Sequence, residues 1–254
     1  MSPPQVPRYN VLGVGVSALT LAGARDLIVG ARGQRGLGYV CLCTVHGLGE
    51  ARKDPEFRRI LNQSWLTTPD GMPVVWMGPA SVERVYGPDL MLAVCEAGRG
   101  SGLRHFFYGG NAGVAAELAS RLSVRFPGLQ VAGFFSPPFR DLSGEELGSL
   151  RSQVAAARPD IVWVGLGTPK QERFMAGQGM SLDTALLIGV GAAFDFHAGR
   201  VPQAPRWVQR CGLEWLFRLC VEPRRLARRY LTTNPLFIAR VAAQKMGFRN
   251  YPLT

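Results

Sequence analysis

The stretch DIVWVGLGTPKQERFM, residues 160–175, decides the fold class. It begins with a nearly continuous apolar run, Asp160–Leu166, as expected for a strand that is covered on both faces. Glycines then break the strand, and a helical pattern begins at Pro169. A buried strand, a glycine turn and a helix together make one βα unit, in which the chain crosses a sheet and returns over its face.

The same unit recurs along the chain. Further strand-like runs are Tyr9–Val16, Gly38–Val45, Arg104–Tyr108, Gln130–Phe135 and Thr184–Val190, and helical patterns lie between most of them. Repeated βα units predict an α/β fold with a mostly parallel, Rossmann-like sheet flanked by helices and joined by right-handed crossovers. Ligands of such sheets bind at the carboxyl ends of the strands.

Three of the predicted strands end in glycine turns, at residues 109–113, 165–169 and 189–193. Glycine lets backbone N–H groups approach a ligand closely, and a following helix N-terminus favours phosphate. Any one such turn is equally well explained as a plain connection, but three at one sheet edge favour a nucleotide-type ligand. The candidate contacts to it are Gly109, Gly110, Asn111 and Gly167.

The segment Gly13–Ala18 nearly matches a dinucleotide-binding fingerprint. That fingerprint needs an acidic residue at the end of the next strand to bind the ribose, and no Asp or Glu occupies that place. A structural role is therefore the favoured interpretation of these glycines.

After Gly199 the pattern changes to helices with a basic character. Residues 200–254 contain eleven Lys and Arg and two Glu, a net charge of +9, whereas residues 1–199 contain eighteen and sixteen, a net charge of +2. The sequence thus predicts an α/β body over residues 1–199 and a basic, amphipathic helical appendage over residues 200–254. Such charge asymmetry indicates an anionic partner: ligand phosphates, a lipid surface or nucleic acid.

Asp70 lies in a rigid turn, Thr67–Pro73, before a short apolar helix. An Asp-Gly turn or a helix cap is the ordinary explanation. The functional alternative is a general base, since an ionised loop carboxylate can be directed into a cleft. The strand end at Thr44 and His46 could line the same cleft.

Two further polar groups have open interpretations. Gln171 and Glu172 lie in the first turn of a predicted helix, where they could cap the helix or contact a ligand. Asp195 stands between two phenylalanines, so it needs a partner, either a nearby arginine or a ligand hydroxyl.

No metal or cofactor is expected. The sequence has no Asp-x-Asp pair and three scattered histidines, and its five cysteines form no zinc-binding spacing. Buried, small apolar positions are expected for all five cysteines. Arg218, Arg225 and Arg228 are seven and three residues apart, so on a continuous helix they would share one face, either solvated or directed at an anion.

Taken together, these segments resemble the bacterial WecG/TagA/CpsF glycosyltransferases, in order and nearly without gaps from about Asn10 to Phe237. The matching pieces are PDGMPVVW (69–76), ERVYGPDLM (83–91), FYGG (107–110), GLGTPKQE (165–172), AFDF (193–196), GRV (199–201), AP (204–205) and GLEW (212–215). His46 departs from the Asn that the family often has there.

The resemblance implies an inverting, metal-independent transfer from a UDP-sugar to a sugar on undecaprenyl diphosphate, in teichoic acid or surface polysaccharide synthesis. By position, Asp70 would be the catalytic base, and Thr44 and Arg84 residues of its pocket. Gln171 would contact the donor. The arginines Arg218, Arg225 and Arg228 would meet the diphosphate.

The expected location is cytoplasmic, peripheral at the inner face of the cytoplasmic membrane. The expected partners are a UDP-sugar, the lipid-linked acceptor and an anionic membrane surface; assembly into a homo-oligomer is left open. Two alternatives compete with this hypothesis. Gly13–Ala18 suggests a nicotinamide-dependent oxidoreductase, and the basic segment suggests a nucleic-acid-binding module, although its wide apolar stripe argues against nucleic acid.

Overall fold

The computed structural model of the protein describes residues 6–184 and 186–253, except for the side chains of Arg225, Arg228 and Arg229. The chain opens with an antiparallel hairpin of β1 (Arg8–Val11) and β2 (Val14–Ser17). Leu12 and Gly13 both have positive φ, 54° and 88°, as a two-residue hairpin turn that follows the strand twist requires. No helix follows this turn directly, so Gly13 and Gly15 lack the strand-turn-helix context of a dinucleotide fingerprint, and the predicted single strand is corrected to two.

The central sheet has six parallel strands within the described residues. They are β3 (Gly38–Cys43), β4 (Leu66–Pro69), β5 (Arg104–Gly109), β6 (Gln130–Phe135), β7 (Ile161–Gly165) and β8 (Leu186–Gly189). Their order across the sheet is β4-β3-β8-β7-β5-β6, and every neighbouring pair is parallel. The predicted α/β, Rossmann-like fold is confirmed.

Helices cover both faces of this sheet. They are α1 (Leu21–Gly30), α2 (Val45–Lys53), α3 (Pro55–Gln63), α4 (Met72–Val75), α5 (Gly87–Gly98), α6 (Val114–Arg125), α7 (Gly144–Ala157), α8 (Lys170–Ala176), α9 (Ala193–His197), α10 (Arg206–Arg210), α11 (Glu214–Val221) and α12 (Pro223–Lys245). A 3-10 turn spans Gln178–Ser181.

The central strand β7 shows why the sheet is stable. Ile161 and Trp163 enter the core cluster on one face, and Val162 and Val164 enter the cluster on the other face. All four are at most 1% exposed, and each buried side chain of this size contributes about 1.5–3 kcal/mol. The Trp163 indole donates to Nδ1 of the buried His105 at 3.0 Å, so its polar atom is satisfied in the core.

The three C-terminal helices pack on the body through few buried side chains. Leu226 and Phe237 of α12 are buried, whereas α11 has no buried residue among those that the structure describes. α12 lies against α2, and its end is tied to the N-terminal hairpin. Gln244 accepts the Leu12 N–H at 3.0 Å and donates to the Asn10 carbonyl at 3.1 Å. The boundary predicted at residue 199 stays a prediction.

Two expectations about this segment are corrected. The sequence pattern predicts a separate helix over Pro235–Met246, but residues 235–245 continue α12, which contains Pro235 in its interior. Cys211 and Cys220 are exposed, whereas Cys41, Cys43 and Cys95 are buried as expected. In the part of the chain described, no helix has the length and apolar character needed to cross a bilayer.

Candidate active site

The candidate site lies at the carboxyl edge of the sheet, where the strand ends converge as predicted. Thr44 follows β3, Asp70 follows β4, and glycine turns follow β5, β7 and β8. Gly109 shows how closely these ends pack, since it has a φ of 135° and an added Cβ would lie 2.6 Å from the Gly165 backbone. No other residue type fits there, so glycine sets the spacing of the β5 and β7 ends.

Asp70 is held firmly at the end of β4. Its backbone N–H donates to the Cys43 carbonyl at 3.1 Å, and its side chain is 14% exposed. Burial raises the pKa of Asp70 to about 7, the charges of Arg84 and Arg218 oppose that rise, and the charge of Glu214 adds to it. A carboxylate with such a pKa is suited to accept a proton near neutral pH.

Arg84 links Asp70 to the C-terminal helices. Its Nε donates to the Asp70 carbonyl at 2.5 Å, and its Nη2 lies 3.5 Å from Asp70 Oδ1. The same Nη2 lies 2.5 Å from Oε2 of Glu214, at the start of α11. The guanidinium also stacks over the Tyr86 ring, 4.0 Å from its centroid, and the Tyr86 hydroxyl donates to Glu214 Oε1 at 2.8 Å.

Glu214 and Tyr86 are residues of the candidate site that the sequence pattern does not indicate. Glu214 belongs to the GLEW motif, but nothing in that motif indicates its contact with Arg84. A signal was present, because Glu214 is one of two acidic residues in a segment with eleven basic ones. Its partner Arg84 is 130 residues away, so spacing alone could not pair them.

Thr44 starts α2 next to Asp70. Its hydroxyl accepts the Gly47 N–H at 3.0 Å and so caps the helix. His46 lies in the first turn of the same helix and is partly buried. The pocket role predicted for Thr44 stays a prediction, and the cap gives its hydroxyl a structural task as well.

Gln171 and Glu172 lie beneath the turn that follows β7. They are 3% and 1% exposed. Glu172 Oε1 accepts from the Thr168 hydroxyl at 2.9 Å and from Gln171 Nε2 at 3.0 Å, while Gln171 Oε1 accepts the Gly167 N–H at 3.2 Å. Burial raises the pKa of Glu172. Both side chains hold the glycine turn in place, and the donor contacts predicted for them stay predictions.

The remaining predicted donor contacts spread along the same edge. Asn111 is exposed in the turn after β5, and Asp195 is partly buried in α9. Arg218, in the last turn of α11, lies over the Phe196 ring, 5.7 Å from its centroid. Its Nε is buried and has no hydrogen-bond partner among the described residues.

The remaining predictions concern two arginines and the binding of a metal ion. The side chains of Arg225 and Arg228 lie outside the described residues, so their predicted contacts with the diphosphate stay predictions. Among the residues described, no three His, Cys, Asp or Glu side chains form a group that could hold a metal ion.

Comparisons with known proteins identify the family of this chain. The protein is 32% identical over 183 residues to the N-acetylglucosaminyldiphosphoundecaprenol N-acetyl-beta-D-mannosaminyltransferase of Bacillus spizizenii, covering 70% of this chain and 69% of the relative. It is 32% identical over 182 residues, with the same coverage, to the protein of that name from Bacillus subtilis. The sequence model of the glycosyl transferase WecG/TagA/CpsF family matches residues 9–251, and the chain therefore belongs to this family of glycosyltransferases.

Proposed function

We propose that the protein transfers an N-acetylhexosaminyl residue from a UDP-sugar to a sugar on undecaprenyl diphosphate, with inversion and without a metal ion. The observation that carries the proposal is Asp70, a nearly buried carboxyl group with a pKa of about 7 beside Arg84 and Arg218. The names of the two relatives support a lipid-diphosphate acceptor carrying N-acetylglucosamine and a transferred N-acetylmannosamine. The family resemblance supports UDP as the carrier.

The proposed reaction is one displacement. Asp70 takes the proton of the acceptor hydroxyl, and the hydroxyl oxygen forms a bond to C1 of the donor sugar. The bond from C1 to the diphosphate breaks, its electron pair leaves with UDP, and attack from the opposite face inverts C1. The sugar passes through an oxocarbenium-like state.

The leaving diphosphate needs positive charge. The charge of Arg218 acts on Asp70, and arginine stays charged at all relevant pH values. Arg225 and Arg228 would add to this charge. The Gly110 and Gly167 N–H groups are already bonded, to the Gly165 carbonyl and to Gln171 Oε1, so other backbone N–H groups of the turns after β5 and β7 would contact the phosphates.

The C-terminal helices also suit a membrane surface. Leu231 and Ile238 of α12 are 69% and 67% exposed and, being seven residues apart, lie on one helix face. Residues 200–254, with eleven basic and two acidic residues, would be attracted to anionic lipid. A peripheral position at the inner face of the membrane would bring the site to its lipid-linked acceptor.

A UDP-release assay tests the proposal. Purified protein is mixed with an N-acetylglucosaminyl-diphosphate-lipid analogue and, in turn, UDP-N-acetylmannosamine, UDP-N-acetylglucosamine, UDP-glucose and UDP-galactose, with and without EDTA. UDP-N-acetylmannosamine should release UDP in both conditions and give a product with inverted C1. The proposal is overturned if no UDP-sugar reacts, and its metal-independent part is overturned if EDTA stops the reaction.

A further inference from the structure

Arg84 lies between two carboxylates of the candidate site, and its Nη2 atom is closer to one than to the other. Arg84 Nη2 lies 2.5 Å from Glu214 Oε2 but 3.5 Å from Asp70 Oδ1. The three side chains are 16%, 13% and 14% exposed, so their charges interact with little screening by water. The arginine is thus hydrogen-bonded to the carboxylate of α11 and makes a longer ion pair with the carboxylate that follows β4.

We propose that Glu214 is a positioning residue of the transfer: it engages Arg84 so that this arginine does not close a tight ion pair with Asp70. The docked α11 would then leave the Asp70 carboxylate free to receive the acceptor hydroxyl. This inference rests on the proposed function, because it takes Asp70 as the base.

The hydrogen bonds around Glu214 support this division of roles. Both of its oxygens are engaged, Oε2 by Arg84 and Oε1 by the Tyr86 hydroxyl at 2.8 Å. Because both oxygens already accept hydrogen bonds from protein donors, Asp70 and not Glu214 is the carboxylate left to accept the acceptor hydroxyl. Arg84 is fixed at a third point, since its Nε donates to the Asp70 backbone carbonyl at 2.5 Å.

The charged and titratable groups around Asp70 belong to several elements. Arg84 and Tyr86 precede α5, Glu214 and Arg218 belong to α11, and Cys43 ends β3. His46 lies in the first turn of α2, which follows β3, and β3 is paired with β4, the strand that ends just before Asp70. Of these groups, Glu214 is the one that adds to the raised pKa of Asp70 through its negative charge, after the larger effect of burial.

Removing the charge of Glu214 should therefore change the pKa of Asp70 in one direction, downward. Without it, Arg84 would turn fully to Asp70 and lower the pKa of that carboxyl. Transfer needs ionised Asp70, so the rate rises as pH passes through its pKa. A lower pKa moves this rise to lower pH, while the weaker and paired base lowers the plateau above it.

The test is the pH profile of kcat/KM for Glu214→Gln, measured by UDP release from pH 5 to 9. The acid limb should move down by roughly one pH unit, as expected for a close charge partner, and the plateau should fall by about tenfold. Glu214→Asp keeps the charge and should leave the limb near its original pH. Tyr86→Phe, which removes one hydrogen bond but no charge, is the matched control and should not move the limb.

A rate that falls equally at every pH would show a merely structural role and overturn the proposal, as would an unchanged profile. Thermal unfolding checks that each variant is folded. If Glu214→Gln does not fold, the positions of the limb in Glu214→Asp and Tyr86→Phe decide, since a shifted limb in either contradicts the proposal.

A second readout separates this inference from the proposed function. Carbon-13 NMR of aspartate-labelled protein, with the Asp70 signal assigned by its loss in Asp70→Asn, follows the Asp70 titration without substrate. A lowered midpoint in Glu214→Gln supports the charge coupling even if wild-type protein transfers no sugar. An unmoved midpoint with an active wild type rejects the inference alone.

Discussion

Two regions of the molecule meet at the site, and they are held in different ways. The strand ends belong to a buried sheet, where Trp163 is 0% exposed and Asp70 is bonded through its backbone to the neighbouring strand. α11 has no buried residue among those described and meets the body through the polar contacts of Glu214 and the stacking of Arg218. Asp70, the proposed base, is therefore part of the stable core, while Glu214 and Arg218 lie on a weakly packed helix.

The largest expected effect is a loss of catalytic rate while both regions stay folded. Asp70→Asn removes the proposed proton acceptor but keeps the size of the side chain. We expect kcat to fall roughly 10²–10⁴-fold, the usual contribution of a general base, with an unchanged melting temperature. UDP release and thermal unfolding measure the two quantities. Full activity in this variant would exclude Asp70 as the base.

The next prediction compares one tryptophan from each region. Trp163→Ala empties a fully buried position in β7 and should lower the free energy of unfolding by about 3–5 kcal/mol. Trp207 in α10 is 67% exposed, so Trp207→Ala should change it by less than about 0.5 kcal/mol. Denaturant unfolding of both variants provides the comparison. Equal losses would mean that the C-terminal helices are as tightly integrated as the sheet.

A smaller effect is expected on membrane binding. Leu231→Glu with Ile238→Glu places two charges on the exposed face of α12 and should weaken binding to anionic vesicles more than about tenfold. Val124→Glu is the matched control, because Val124 is 80% exposed on α6 of the body. Co-sedimentation with vesicles of mixed phosphatidylglycerol and phosphatidylcholine measures the change. Comparable losses in the control would show that the apolar face of α12 is not the docking surface.

The smallest expected effect concerns the cap beside the base. Thr44→Ala removes the acceptor for the Gly47 N–H and should destabilise the protein by about 1 kcal/mol. Thr44→Ser keeps the hydroxyl and should restore the stability, as thermal unfolding would reveal. Loss of activity in both variants at unchanged stability would indicate a contact of the methyl group with substrate.

The sheet was accessible from the sequence because its signals are local. The sequence pattern predicts a strand over Gln130–Phe135 and a helix over Gly144–Ala157, and the structure has both elements with those bounds. The N-terminal hairpin was missed because its turn uses Leu12 at positive φ, which leucine rarely adopts.

The sequence could predict only those site residues that lie at the ends of strands. Asp70 could be singled out from its turn and its family motif. The pairing of Arg84 with Glu214 depends on how α11 docks, over 130 residues of intervening chain, and no periodicity contains that information. The exposure of Cys211 and Cys220 was missed for a related reason, because both lie in the thinly packed C-terminal helices.

The hydrogen bonds between the N-terminal hairpin and the C-terminal end of the chain can form only after nearly the whole chain has been synthesised. The Leu12 N–H obtains its acceptor from Gln244, and Asn10 donates to the carbonyl of Tyr251 at 2.6 Å. A ribosome adds about 5–20 residues per second, so the hairpin would wait roughly ten to fifty seconds for these partners. The last strand of the sheet ends at Gly189, 25 residues before Glu214, so the sheet can be complete for roughly one to five seconds before Glu214 is added. The nascent chain would therefore carry Asp70 at the edge of a complete sheet before it carries Glu214 and Arg218.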